Sequence, residues 1–385
     1  MSNKLYFTTI VLLMLSLVLT YSMSLFSTTY FNTSKYFFLQ RQFLSITIAI
    51  ILLTLISRMN PYNVFKPLGF LLFFGSSLAI IAMLFLPDSV VRSVLGAKRW
   101  IKFGPISIAP TEFFKYGFIF FIAWSLDRRY KIVNSANGVL KEYIYILPYF
   151  LVFIIASGII AVGQKDLGQV VVLFGSLLAL LYLTGVSKKF FISILVLFGA
   201  GVYALIKLAP HRISRFKGWW VGIQDYIPFL PDSLKVNDTT IPMHITNSLN
   251  AIHNGGAIGE GLGNGQFKLG YLSEVHTDFI LAGAVEEIGV IGMIVLLGLM
   301  LFLIKLIFDI ANRLEERIDK FFVYGVGIVL SLEFIINAFG ITGIIPIKGM
   351  AVPLLSYGGS QIIATSIAIG MVLMLSKKIK KDENG

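Results

Sequence analysis

The chain has 385 residues, of which 56% are hydrophobic and 14% charged, and its mean hydropathy is +0.83. Such a composition excludes an ordinary soluble domain and points to a bilayer. There is no cysteine, which excludes disulfides, thiol nucleophiles and cysteine metal sites. The net charge of +12 is expected to sit in loops near anionic lipid, with no nucleic-acid partner.

Apolar windows of roughly 19 residues predict about ten spans, near 5–27, 42–59, 65–87, 109–127, 143–163, 167–185, 190–208, 279–305, 320–340 and 357–376. The expected fold is an all-α polytopic membrane protein made of one integral domain, 1–385. No small-residue cleavage site follows the first run, so it reads as a retained span. Most connections are short. The exception, 209–278, holds all four histidines, His211, His244, His253 and His276.

Lysine and arginine set the expected orientation. Arg58 and Lys66, Arg128 to Lys141, Lys188 and Lys189, Lys305 to Lys320, and the tail from Lys377 alternate as inner ends. Both termini are then cytoplasmic, and the large loop between spans 7 and 8 is outside. One outer loop dissents: Arg92, Lys98, Arg99 and Lys102 flank Trp100. Either orientation tolerates one dissenting loop, or these cations meet a lipid phosphate at the outer leaflet.

Polar residues that a bilayer penalises mark the candidate site. Asp278 ends the large loop beside Glu274, His276 and Thr277. It reads either as a general base or, with Thr277, as a cap on the next helix. Glu286 and Glu287 lie two turns further on and point about 100° apart, so at most one shares a cavity with Asp278; a structural pair or a protonated acid is the plainer reading. Glu112 and Lys115 are spaced to pair. Asp166, beside Lys165, reads as a cap or as part of a cavity mouth. Arg212 and Arg215 open the large loop as headgroup anchors or phosphate ligands. The stretch from Pro346 through Lys348, Pro353 and Ser356 to Ser360 is too rich in proline and glycine for an unbroken helix. Asn254 to Gly265 lacks the Gly-Lys-Ser/Thr of a nucleotide loop and reads as a flexible glycine-rich connection.

Taken together, Gly96-Ala-Lys-Arg-Trp-Ile, Pro110-Thr-Glu-Phe-Phe-Lys115, Lys165-Asp-Leu-Gly168, Gly270-Tyr-Leu-Ser-Glu-Val-His-Thr-Asp-Phe-Ile280, Glu286-Glu-Ile-Gly289 and Pro353-Leu-Leu-Ser-Tyr-Gly-Gly-Ser360 resemble the SEDS family of cell-wall polymerases (the FtsW/RodA/SpoVE group). The ordered set covers nearly all of the chain. The resemblance implies ten spans and a peptidoglycan glycosyltransferase that polymerises lipid II, a disaccharide-pentapeptide on undecaprenyl diphosphate. It places the catalytic carboxylate on Asp278. Lys348 and the Gly270-Tyr-Leu-Ser-Glu stretch are more like the division branch, which implies a place at the septum of a bacterial cytoplasmic membrane. The implied partners are a class B penicillin-binding protein and other division membrane proteins. No cofactor is implied, although a divalent cation on the diphosphate is compatible. Lys98, Arg99, Trp100, Lys102, Arg212, Arg215, His276 and Lys348 are the expected substrate contacts. Glu112, Lys115, Asp166, Glu286 and Ser356 are the expected cavity residues. The rival reading is a lipid II flippase, which would also need a polar cavity; a structural scaffold would leave Asp278 replaceable. The sequence departs from the family at Ala109, Lys165, His244, Asn247 and Glu333, where glutamine, proline, two glutamines and glutamine are usual.

Overall fold

The computed structural model describes residues 2–30, 32–87, 89–94, 97–103, 106–134, 139–207, 210–224, 227, 229–231, 235–236 and 242–379. In order, the elements are α1 (Ser2–Met23), α2 (Leu25–Tyr30), α3 (Phe37–Arg58), α4 (Pro61–Phe70), α5 (Ser76–Phe85), β1 (Val91–Val94), β2 (Ala97–Phe103), β3 (Ile106–Ile108), α6 (Pro110–Asn134), α7 (Val139–Gly158), α8 (Leu167–Tyr182), α9 (Lys188–Lys207), α10 (Pro210–Gln224), α11 (Met243–Gly255), α12 (Ile280–Arg313), α13 (Arg317–Ile341) and α14 (Gly359–Leu375). Among the described residues, seven helical stretches are long and apolar enough to cross a membrane; α4 and α5 form one of them, joined by a π-turn at Leu71–Gly75. The chain is therefore a multi-pass helical membrane protein.

The bundle is built around α14, which is buried along nearly its whole length. It packs along α3, and also against α6 and β3. On α3 the buried residues Gln42, Ile46, Ala49, Leu53 and Ile56 recur at intervals of three and four, so they form one stripe on the helix. This stripe meets α14. The opposite face of α3, with Phe43, Leu44, Ile51 and Leu55 exposed, is left for lipid.

Two connections and one helix differ from their plain reading as loops and an unbroken span. The basic outer loop folds into an antiparallel sheet, β1-β2-β3, with Arg92 opposite Trp100 and Lys102 opposite Ser107. A bulge sets Arg99 apart in β2: Trp100 pairs with Arg92 and Lys98 with Ser93, which leaves Arg99 unpaired between them. Next, α12 is not one continuous helix. Gly289 has φ 67° and ψ 179°, which breaks it one residue after Ile288. Finally, the glycine-rich connection from Asn254 is not a loose tether. Its backbone is laced to the break: Glu260 and Gly261 amides donate to the Glu286 and Glu287 carbonyls, and the Val290 and Ile291 amides donate to Gly256 and Ala257. A Cβ on Gly259 would lie 2.3 Å from the Glu287 carbonyl oxygen. Glycine is required there by close approach as well as by its φ of +89°. The proline- and glycine-rich segment before Gly359 is irregular, as expected.

Candidate active site

A cavity of about 930 Å³ opens at one end of the bundle. Its wall is made by the residues that open five helices: Phe37 to Ser45 on α3, Ala109 to Glu112 on α6, Gln164 to Gln169 on α8, Glu274 to Asp278 before α12, and Tyr357 to Gln361 on α14. Helix starts carry free amides and the positive end of the helix dipole. Three of the five, at Tyr36, Phe279 and Gly358, have no side-chain cap. The convergence therefore favours a negatively charged occupant.

Asp278 lies in this wall. The structure corrects the capping alternative, because the residue at the cap position of α12 is Phe279 and no side chain from Thr277 or Asp278 caps the helix. The Asp278 amide instead donates to the Glu274 carbonyl at 3.0 Å. Its own carbonyl accepts from Asn337 Nδ2 at 2.7 Å, and the same nitrogen donates to Met350 O at 2.6 Å. The 349–351 segment is thereby pinned beside the carboxylate. A Cβ on Gly349 would sit 2.5 Å from Asp278 Oδ2, so any larger residue there must displace the carboxylate. Burial pushes the Asp278 carboxyl up to about 7, helped by the nearby Glu274 and Asp166 charges and opposed by Arg99 and the Thr277 hydroxyl. A carboxylic acid that ionises near neutrality has the strength a general base needs.

His276 is buried in the same wall, with ring centroids of Phe38 and Tyr357 at 4.8 and 5.4 Å. Burial holds its imidazole below the usual range, against the pull of Glu274. Tyr357 N donates to the His276 carbonyl at 2.9 Å and Ser356 Oγ donates to that of Thr277 at 2.6 Å. Ser356 therefore lies under the site and fastens the Glu274–Asp278 turn without lining the cavity.

Asp166 combines its two expected roles. Its side chain accepts from Gln169 N at 3.2 Å, capping α8, and it also lines the cavity. Burial raises its carboxyl, while Arg99, 3.7 Å away, lowers it. Arg99 is held further by donating to Gln164 O at 2.8 Å and Lys165 O at 3.0 Å. Glu112 lines the cavity and pairs with Lys115 at 2.6 Å, as its spacing predicts. Lys115 is fully buried behind it and also bonds to Glu333, so the departure at Glu333 is absorbed by an ion pair outside the cavity wall.

Several expected contacts lie elsewhere. Arg99 and Trp100 reach the cavity, but Lys98 and Lys102 do not line it. Lys98 turns back to Leu86 O at 2.9 Å, and Lys102 is exposed. Lys348 is exposed and outside the lining. Glu286 is not a cavity residue: its carboxylate accepts from Gln266 N at 2.6 Å, Phe267 N at 3.1 Å and Asn254 Nδ2 at 3.1 Å. Its partners are amides of the glycine-rich connection, which the helix break brings alongside. The side chains of Arg212 and Arg215 lie outside the described residues. Among the described residues no three His, Asp or Glu side chains gather as metal ligands.

Among the contributors absent from the sequence reading are Arg41, Gln169 and Gln361, which line the cavity, and Asn337, which braces it. Each is a polar residue inside or at the edge of an apolar run, a signal that also fits an interfacial anchor.

The comparisons with known proteins place the chain in a family and support its fold. Residues 3–381 match the FtsW/RodA/SpoVE family model, described as a cell cycle protein. The chain is 44% identical over 388 residues to the probable peptidoglycan glycosyltransferase FtsW of Helicobacter pylori (strain ATCC 700392 / 26695), covering 98% of this chain and 99% of the relative. It is 29% identical over 345 residues to the protein of that name from Geobacter sp. (strain M18), covering 90% and 88%. Among solved structures, a chain of a peptidoglycan synthase complex that coordinates polymerization and crosslinking superposes with a TM-score of 0.72 at 22% identity, covering 98% of both chains. The rod shape determining protein RodA of Thermus thermophilus superposes with a TM-score of 0.65 at 22% identity, covering 98% of this chain and 97% of that one. The chain belongs to the FtsW/RodA/SpoVE family of cell cycle proteins, the SEDS family.

Proposed function

We propose that the protein is a peptidoglycan glycosyltransferase that joins lipid II units into glycan strands at the outer face of a bacterial cytoplasmic membrane, in division. The observation that carries this reading is a half-buried carboxylate, Asp278, in the wall of a cavity onto which five helix starts converge. Asp278 takes the proton of the attacking sugar hydroxyl. The hydroxyl oxygen forms the new bond to the anomeric carbon of the other substrate as that carbon's bond to the diphosphate breaks. The helix starts offset the charge that builds on the leaving diphosphate. Arg99 acts on Asp278 and fixes the Gln164–Asp166 turn. A divalent ion, if used, would arrive on the diphosphate.

Adding α6, α8 and α9 to the seven apolar stretches brings the spans to ten, folded as one domain. With both termini inside, all five helices at the cavity begin on the outer side, where the large loop also lies. The H. pylori relative is named for the same activity. The synthase complex supports a class B penicillin-binding protein as partner, beside other division membrane proteins.

Purified protein in detergent, where no sidedness exists, is expected to make polymeric glycan from lipid II. Binding of lipid II without polymer would move the reading to a flippase. For topology, Tyr271→Cys should react with a membrane-impermeant thiol reagent in intact cells, and Glu315→Cys only after lysis. The reverse pattern would put the cavity on the wrong side for this reaction.

A further inference from the structure

We infer that Arg41 is the residue that binds the substrate's diphosphate, an inference that rests on the glycosyltransferase reading above. Arg41 stands in the opening turns of α3 and lines the cavity. Its guanidinium lies over the Phe37 ring, 4.2 Å from the centroid. Among the described residues no carboxylate is within ion-pair distance of it.

The other lining charges are already committed or negative. Arg99 is spent on Asp166 and two carbonyls. Glu112 is taken by Lys115. Glu274 and Asp278 add negative charge, and burial disfavours the imidazolium of His276. An entering diphosphate therefore meets one uncommitted lining cation among the described residues. Guanidinium suits it, because its planar fork binds phosphate oxygens in pairs. Its ring contact pre-orients the side chain at little entropic cost.

The position of Arg41 relative to Asp278 is also fixed. The next residue, Gln42, is fully buried and donates to Ser356 O at 3.2 Å and to Ser16 Oγ at 2.7 Å, while accepting from Gly358 N at 3.4 Å. Ser356 and Tyr357 then bond the Thr277 and His276 carbonyls. A chain of hydrogen bonds thus runs from the residue beside Arg41 to the residue beside Asp278. Such bracing is what a cation needs to meet one end of a substrate while a base meets the other.

The test is made in an Asp278→Asn background, so that nothing turns over, with the full-length protein in nanodiscs. Binding of undecaprenyl diphosphate and of undecaprenyl monophosphate is measured with phosphatidylglycerol as competitor. Arg41→Gln is expected to weaken diphosphate binding about tenfold or more, and monophosphate binding less. Arg41→Lys should recover part of the loss, and both variants should melt like the parent. Equal losses for diphosphate and phosphatidylglycerol would make Arg41 a bulk headgroup anchor and overturn the inference, as would unchanged diphosphate binding in Arg41→Gln. If Arg41→Gln fails to fold, Arg41→Lys decides, because it keeps the charge but not the fork: diphosphate affinity equal to the parent's overturns the paired contact. A parent that binds no undecaprenyl diphosphate would instead overturn the glycosyltransferase reading itself.

Discussion

Two sets of carboxylates lie eight residues apart around the start of α12, and they are treated in opposite ways. Glu286 and Glu287 are fully buried, and every charge on them is answered. Glu286 takes three N–H donors, while Glu287 takes Lys268 at 2.5 Å and Ser22 Oγ at 2.6 Å. Asp278 is half-buried, faces open volume and is near more acids than bases. A carboxylate whose charge is met by buried donors and that is shut away from open volume can hold structure but cannot reach a substrate. An under-satisfied one costs stability and keeps its basicity. On this difference the proposed reaction takes the glutamate pair as a fastener and Asp278 as the reagent.

The widest way to break the comparison is Asp278→Asn. The amide is nearly isosteric but cannot accept a proton, so polymerisation should fall by about 10²–10⁴-fold, measured as glycan from lipid II. The melting temperature should hold or rise. The native carboxyl ionises near 7 against about 3.9 when unfolded, so the folded state binds more protons in that window. Asp278 then subtracts stability as pH rises from about 4 through 7. The variant's advantage should be largest at pH 8 and vanish in acid; an Asp278→Asn protein less stable at pH 8 than at pH 5 relative to the parent would contradict the burial argument.

Glu287→Gln should do the reverse, leaving Lys268 buried without its carboxylate. Breaking a buried pair from one side costs about 3–5 kcal/mol, seen as a lower melting temperature in detergent. Specific activity of the protein that survives should change little, and adding Lys268→Met should restore part of the stability. Gly349→Ala is expected to lie between the two. Its methyl must displace Asp278 Oδ2 or the 349–351 backbone, reducing turnover about 10–100-fold with a small change in melting. The smallest effect should come from Glu274→Gln. The rate should rise with pH through about 7 as Asp278 ionises, and removing the Glu274 charge that raises this carboxyl should move the rising limb to lower pH.

Much of this was legible in the sequence where polarity interrupts apolar runs. Asp278, His276, Asp166, Glu112 and Arg99 stand out because a bilayer taxes them, and the structure gathers them. The sequence left the cap or base alternative open at Asp278, since both need an acid before a helix; only the position of Phe279 at the cap separates them. Lys98 and Lys102 group with Arg99 in the sequence because neighbouring cations are alike in composition. The strand and its bulge at Arg99 set these side chains apart, and neither shows in a loop rich in charge. Glu286 is an expected cavity residue only on its place two turns beyond Asp278, and its carboxylate is instead taken by Asn254, Gln266 and Phe267. A glycine in an apolar run shows neither its φ nor the loop that will lie against it.

The pairing of α3 with α14 joins residues more than 300 positions apart in the sequence. At about 5–20 residues per second, α3 waits roughly 15–60 s of synthesis for the helix that covers its stripe. Until then Gln42 has Ser16 on α1 for company but neither Ser356 nor Gly358. The cavity wall cannot close on a nascent chain, whatever substrate surrounds it. Assembly order alone keeps the half-made protein from acting on the wall precursors in the membrane it is entering.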